Sequence, residues 1–389
     1  MADDEAELVA DALEVPPASL RLLSREPLGK GSVTGFAVGD TETIAYLDSS
    51  KQAVAAETGF AREDGVRIWL HPADPHLPAL TPVAYHGGAG ALLDRLGLGP
   101  LRSIEMIAYR PGRRAILRVG TGHEAEEAPV WVKVVRPSRV ARIVDAHRAL
   151  IAAGLPVPDV LGWSPEGLLV LSHAVGEAAT EVDWDAEVLL DAVDDLRAQL
   201  AAAPLDQPAR TSLSQRLDWY VTRLRAALPE DRRVDEIARG AERMLDGAQP
   251  SLVTVHGDLH LGQLFLSGAA HRITGLVDVD TAGRGDAADD AAAFLAHAIT
   301  SAIGTEPSPA AARVWALAVA AAERWGDDER VTALTQVHLL GHALGAAERA
   351  EGDRAVADRL LRIAVRLRPQ LGKSDLMAVF ETAYPPSEG

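Results

Sequence analysis

The apolar positions of this chain repeat with one period before about residue 175 and with another after it. Residues 104–109, 115–119 and 130–135 form short apolar or alternating runs around a tight turn at 110–114 and an acidic stretch at 121–129, which predicts consecutive strands. At 138–154 the period changes: Val140, Ile143, Val144, Leu150 and Ile151 fall on one helical face, with Ser138 as N-cap and Gly154 as the stop. Val160 with Leu161, and then 168–171, add two strands, giving a small, mostly antiparallel sheet with one helix. Beyond Gly176 helical spacing dominates, over 183–203, 212–228, 234–245, 289–303, 309–325, 330–350 and 354–367. The interruption lies at 251–280, where two strand-like runs flank a polar segment at 256–263. The first hundred residues mix a short acidic helix, runs such as 66–70 and a turn-rich 71–78. The expected organisation is α+β: an α/β cap over 1–100, a sheet lobe over 101–175 and a helical lobe over 176–389.

Composition narrows the partners. The 389 residues carry 56 acidic against 38 basic side chains, a formal charge of −18. Phosphate neutralisation along nucleic acid needs clustered Lys and Arg, so nucleic acid is not an expected partner, whereas a cationic or magnesium-bound small molecule suits the balance. With no cysteine there is no disulfide, thiolate metal site or cysteine nucleophile, and any metal must be held by oxygen or imidazole. The opening residues are acidic, unlike a secretory signal, and no run of about 18 uncharged apolar residues occurs, so a cytoplasmic protein without membrane contact is expected. Only four lysines are present, Lys30, Lys51, Lys133 and Lys373, which makes each more informative.

Chemistry concentrates at His256-Gly257-Asp258-Leu259-His260-Leu261-Gly262-Gln263. Apolar runs on both sides hold this loop, an arrangement that fixes a catalytic side chain. Five residues after Asp258 stands the amide of Gln263, and twenty after it Asp278, in a strand-like run ending in carboxylates. Metal-assisted phosphoryl transfer needs such a set. One carboxylate accepts or orients the proton of the attacking hydroxyl, while an amide oxygen and a second carboxylate hold magnesium against the phosphates.

These motifs resemble those of the aminoglycoside phosphotransferase and choline kinase group, the small-molecule branch of the protein-kinase-like fold. Its loop, His-Gly-Asp, four residues, then Asn or Gln, is matched by His256, Gly257, Asp258 and Gln263; its metal motif is matched by Val277, Asp278, Ala282, Gly285, Asp286 and Asp290. The loop is especially similar to that of bacterial maltokinases and their glucosamine kinase relatives. The resemblance implies a bilobal fold, ATP with Mg2+ as cofactors, and transfer of the γ-phosphoryl group to a hydroxyl of a small molecule. It implies Asp258 as catalytic base, Gln263 and Asp278 as metal ligands, and leaves Asp286 and Asp290 either bracing the loop and a helix start or touching substrate.

The same resemblance assigns the α- and β-phosphates to Lys133, set in an apolar strand. The family's usual helical glutamate falls near Ile143, with Asp145 and His147 the nearest polar alternatives. The turn at 110–114 has a single glycine, Gly112, so Arg110, Arg113 and Arg114 are candidates to supply charge to the phosphates. The adenine is expected against 169–174, including Ser172, His173 and Ala174.

For the acceptor, the acids Asp280, Asp286 and Asp289, with His260 beside the base, favour an amino sugar, an aminoglycoside or a related sugar. Trp219, Tyr220, Trp315 and Trp325 are either sugar-stacking or core aromatics. Two other classes compete. A metallohydrolase would bind zinc through His256, Asp258 and His260, but His271, His297, His338 and His342 supply no second motif. A nucleotide-binding scaffold without catalysis fits the thin phosphate turn and is opposed by the intact Lys133, Asp258, Gln263 and Asp278.

Overall fold

The computed structural model describes residues 2–62, 64–122, 128–209, 214–247, 249–268, 272–305, 308–349, 353–371, 374–375 and 378–379. Most of the acidic stretch at 121–129, and His271 and Lys373, lie outside these residues. The chain divides into two compact units, Met1–Arg148 with Pro158–His173, and Ala149–Val157 with Ala174–Gly389. The segments expected as cap and sheet lobe fall in one unit apart from residues 149–157 and 174–175, which belong to the other.

In the first unit, helix α1 (Ala2–Leu13) precedes β1 (Leu20–Leu28), β2 (Gly31–Val38), β3 (Ile44–Asp48), β4 (Phe60–Ala61) and β5 (Arg67–Leu70). These strands form a five-stranded sheet in the order β1-β2-β3-β5-β4, all pairs antiparallel. Alternation along β3 sends Ala45 and Leu47 toward Val9 of α1, and Tyr46 to the other face with Trp69, Val33 and Leu28. The first hundred residues therefore hold a complete sheet with a core on each face, more structure than their sequence announces.

Two helices, α2 (Leu80–Val83) and α3 (His86–Leu96), lead to β6 (Leu101–Arg110), β7 (Arg114–Thr121), β8 (Ala128–Val135), α4 (Pro137–Ala152), β9 (Val160–Ser164) and β10 (Leu168–Leu171). The second sheet runs β6-β7-β8-β10-β9 and is antiparallel throughout, as expected. Its central strands are apolar on both faces because both are covered: Val132, Val134 and Val170 pack with Leu80, Val83 and Leu93, while Val135, Leu169 and Leu171 pack with Val140, Ile143 and Val144 of α4. Helix α4 starts on Pro137, so the expected cap at Ser138 is replaced by proline at the first helical position, where its missing N–H costs nothing.

The second unit opens with β11 (Glu177–Ala178), α5 (Ala186–Ala202), α6 (Leu217–Ala227) and α7 (Arg233–Gly247). It continues through β12 (Leu252–Val255), β13 (Leu264–Ser267), β14 (Arg272–Leu276) and β15 (Gly283–Asp286), and ends in α8 (Asp289–Gly304), α9 (Pro309–Trp325), α10 (Glu329–Ala347) and α11 (Arg354–Ala364). Asp185, Ser308 and Asp328 cap α5, α9 and α10 by accepting first-turn N–H groups. Helix α8 is buried on nearly every side, the mark of a central helix, and α10 packs along it. Among the described residues no helix is long and apolar enough to cross a membrane.

Candidate active site

The polar loop hangs between two antiparallel ribbons. Strand β12 delivers it and pairs with β15, while β13 carries it away and pairs with β14. Gly257 takes φ of +81°, and a Cβ there would come within 2.9 Å of the Thr281 carbonyl oxygen, so the turn before Asp258 requires glycine. Asp290, in the first turn of α8, accepts the N–H of His256 on one carboxylate oxygen and that of Gly257 on the other, each at 2.8 Å. Thr281 donates its hydroxyl to the His256 carbonyl (2.9 Å), and the His256 Nε2–H reaches the Val277 carbonyl (3.1 Å). Four bonds thus fix the backbone that presents Asp258, whose side chain keeps 30% exposure and remains reachable.

Two of the neighbouring acids, Asp286 and Asp290, are committed within the protein. Asp286 is buried and paired with Arg330, whose Nε lies 2.7 Å from Oδ2, and its other oxygen accepts from Ala288 N. Asp289 accepts the Asp286 N–H at 3.1 Å. Burial, with Asp286 and Asp290 nearby, pushes the Asp289 carboxyl up to about 7; burial also raises Asp290. Asp280 lies buried in the 3-10 turn Val279–Thr281. The acceptor role expected for Asp286 is therefore displaced: its charge answers Arg330. Of the two readings of Asp290, bracing the loop matches its bonds.

Strand β14 ends at Leu276, short of the carboxylates expected to close it, because Asp278 adopts a left-handed backbone with φ of 60°. The Val277 N–H bonds the Gln263 carbonyl at 3.0 Å, which ties the metal-motif strand to the loop end. Gln263 is buried, and its Oε1 accepts the His260 N–H at 3.1 Å, leaving the second lone pair of the amide oxygen. Among the described residues no group of three or more His, Asp or Glu is arranged to hold a metal. The two oxygen donors suit magnesium, which keeps waters and phosphate oxygens in its shell.

A feature the sequence did not assemble surrounds Asp258. His297 of α8 places Nε2 3.8 Å from Asp258 Oδ1. Its ring centroid lies 4.5 Å from that of His260, 4.6 Å from His342 and 6.2 Å from His338, the last two one turn apart on α10. Burial and the adjacent His297 hold His260 down at about 4 and His342 at about 3. The signal available beforehand was the four-residue spacing of His338 and His342 on a helix. The aromatics divide: Trp325 is buried and donates to Asp194, whereas Trp219 is 54% exposed.

In the first unit, Lys133 is buried on β8, opposite Leu169 of β10 and so on the face covered by α4. His147 of α4 spends Nδ1 on the Pro158 carbonyl (3.1 Å), and Asp145 is exposed. At the turn between β6 and β7, Asp74 accepts the Gly112 N–H at 2.7 Å and the Tyr109 hydroxyl at 2.9 Å, while Arg136 donates to the Gly112 carbonyl at 2.7 Å. The one glycine of this turn thus has its N–H on a carboxylate that burial drives toward the protonated form. Arg113 donates to the Pro27 carbonyl and Arg110 to Glu26 (3.1 Å). After β10, Ser172 and Asp159 bond reciprocally, and Trp131 donates Nε1–H to His173 Nδ1 at 3.0 Å, which leaves the His173 proton on Nε2. Ala174 begins the second unit.

No curated protein matches the chain. Among solved structures, an amicoumacin kinase in complex with AMP-PNP, calcium and amicoumacin is 14% identical, with 74% of this chain and 96% of that one covered at a TM-score of 0.50. A macrolide 2′-phosphotransferase from Brachybacterium faecium is 20% identical over 70% of this chain and 97% of its own, with a TM-score of 0.44. A choline/ethanolamine kinase family protein from Mesorhizobium loti is 16% identical over 78% and 97%, with a TM-score of 0.48. The family model described as the phosphotransferase enzyme family (APH) matches residues 111–330. That match takes in more than half of the chain, including Lys133, Asp258, Gln263 and Asp278, and the chain belongs to the phosphotransferase enzyme family.

Proposed function

We propose that the protein is an ATP- and Mg2+-dependent kinase that transfers the γ-phosphoryl group to a hydroxyl of a sugar-like small molecule. The observation that carries this reading is the bracing of the loop: Asp290, Thr281 and the Val277 carbonyl hold His256 and Gly257, so that Asp258 projects from a fixed backbone with its carboxylate accessible. Asp258 orients the acceptor O–H and takes its proton; the acceptor oxygen bonds to the γ-phosphorus, the bond to the β,γ-bridging oxygen breaks, and ADP leaves with that electron pair. Magnesium held by the Gln263 amide oxygen and the Asp278 carboxylate would neutralise phosphate charge. Lys133 is assigned to the α- and β-phosphates, Gly112 and Arg113 to the phosphate turn, and Ser172, His173 and Ala174 to the adenine segment. In this reading residues 1–100 cap a nucleotide-binding lobe of 101–175, residues 176–389 carry catalysis and acceptor, and the protein works in the cytoplasm, where ATP is supplied.

The preference for amine-bearing acceptors rested on free acids beside the base. Asp286 is spent on Arg330, Asp290 on the loop, and burial pushes Asp289 toward its neutral form, so the support that remains is for a sugar-type hydroxyl. The test is a magnesium-ATP consumption assay with product detection across aminoglycosides, glucosamine, maltose, choline and homoserine. At least one sugar-type acceptor should give a phosphate ester with equimolar ADP; no acceptor-dependent ADP across the panel would contradict the assignment.

A further inference from the structure

Helices α8 and α10 pack on each other, and the sequence neighbours of His297, His338 and His342, among them Ile299, Val337, Leu340 and Ala343, are buried and aliphatic. An imidazole in that company gives up hydration, and a core histidine normally recovers it through a hydrogen bond. His342 does not: its Nε2 is buried with no hydrogen-bond partner among the described residues, and burial keeps the ring neutral. The ring it meets, 4.6 Å away, is that of His297, which in turn stands 3.8 Å from the Asp258 carboxylate. Both His297 and Asp258 keep about a quarter or more of their side-chain surface exposed, at 27% and 30%. A row of imidazoles therefore leads from the solvent-reachable carboxylate to a buried nitrogen that lacks a partner.

A neutral imidazole offers one N–H and one lone pair, the complement of a hydroxyl, which also donates once and accepts. An ammonium has only donors and gains most from a charged carboxylate, but Asp286 is spent on Arg330, Asp290 on two loop N–H groups, and Asp289, one oxygen of which is buried without a hydrogen-bond partner among the described residues, is pushed by burial toward its neutral form. We propose that His297, His338 and His342, together with His260, form the acceptor-binding wall beside Asp258 and select a neutral polyhydroxylated acceptor over its amine-bearing counterpart. This inference rests on Asp258 as the phosphotransfer base but assigns different residues, on α8 and α10, to acceptor recognition.

The experiment is histidine side-chain NMR on the full chain, 15N-labelled at histidine, at pH 8, with glucose, maltose and glucosamine as probes. His297→Gln, His338→Gln and His342→Gln assign the signals, and thermal melts establish that each variant is folded. The half-buried His297 and His338 carry the test if His342→Gln does not fold. Glucose or maltose should shift the His297 resonance and at least one from α10, and bind at least about fivefold tighter than glucosamine, the effect of one well-made hydrogen bond. In steady-state assays His297→Ala should raise the acceptor KM by about fivefold to tenfold with a smaller change in kcat, and His297→Gln should recover part of that loss. Absence of any shift from these histidines with all three probes, or tighter binding of glucosamine, overturns the inference. Because binding is read without turnover, sugar bound at these histidines with no phosphoryl transfer would instead count against the kinase reading, and transfer without these shifts would count against the wall.

Discussion

Two sets of titratable side chains meet at helix α8, and they differ in what they have left to offer. The acids at its start, Asp286, Asp289 and Asp290, are enclosed by the protein: one is paired with Arg330, one holds a backbone N–H, and one clamps two N–H groups of the catalytic loop. Two turns on, His297 faces Asp258, and beside it His342 keeps a buried nitrogen without a partner among the described residues. Counting charge along the sequence pointed to the acids as substrate contacts. Counting bonds points to the imidazoles. A charged residue near a catalytic group is evidence for a charged ligand only after its internal partners have been subtracted.

The largest effect that separates these sets is expected at the residue between them. Asp258→Ala should lower kcat by about 10³-fold or more, within the range for loss of a general base, while binding of magnesium-ATP, followed by calorimetry, changes little. A rate within about tenfold of the wild type would remove Asp258 from its proposed role. Next comes Asp286→Asn, which leaves Arg330 buried opposite a neutral amide. Denaturant unfolding should report a loss of about 3–5 kcal/mol, with no change in the ratio of neutral to amine-bearing acceptors. A selective loss of amine-bearing acceptors in that variant would return Asp286 to the substrate site.

Asp290→Ala strips two loop N–H groups of their acceptor. The expected cost is about 2–4 kcal/mol in stability, with a fall in kcat of about 10²-fold as Asp258 loses its fixed position. His297→Ala, by contrast, should move KM and leave the melting temperature nearly unchanged, so the two variants sort the acids and the imidazoles by different readouts. The smallest effect is on acid stability. His342 titrates near 6.5 when unfolded and is held at about 3 in the fold, so the unfolded chain takes up a proton that the folded chain refuses. The stability this confers is full above pH 6.5 and is lost as pH falls toward 3, at about 1.4 kcal/mol per pH unit for one proton. In His342→Gln the acid limb of the stability curve should flatten by about that slope between pH 6 and 4; an unchanged slope would mean that the ring is protonated in the fold.

The parts legible in the sequence were those whose signal is local. The loop and metal motif announced themselves by spacing, because Gly257 must take a positive φ and Gln263 and Asp278 must follow at fixed distances. Helices such as 309–325 were legible from their apolar period. The sheet over residues 20–70 was not, since β1 interrupts its alternation with Arg25, Glu26 and Pro27 and finds its order only through pairing with β2. Long-range partners were invisible for the same reason: Asp74 reaches Gly112 across 38 residues, and Arg330 reaches Asp286 across 44. The imidazole row is the extreme case, with His260, His297 and His342 brought together only by the packing of the loop at 256–263 and of α10 on α8.

The central claim is phosphoryl transfer driven from Asp258. It is tested most directly by 31P NMR of reactions containing ATP, Mg2+ and the sugar panel, run with the wild type and with Asp258→Asn, which preserves the side chain's shape and removes its basicity. A new phosphate-ester resonance should grow with ADP in the wild type and form at least about 10³-fold more slowly in the variant. Equal rates of ester formation in the two proteins, or no ester from any sugar in the wild type, would contradict it.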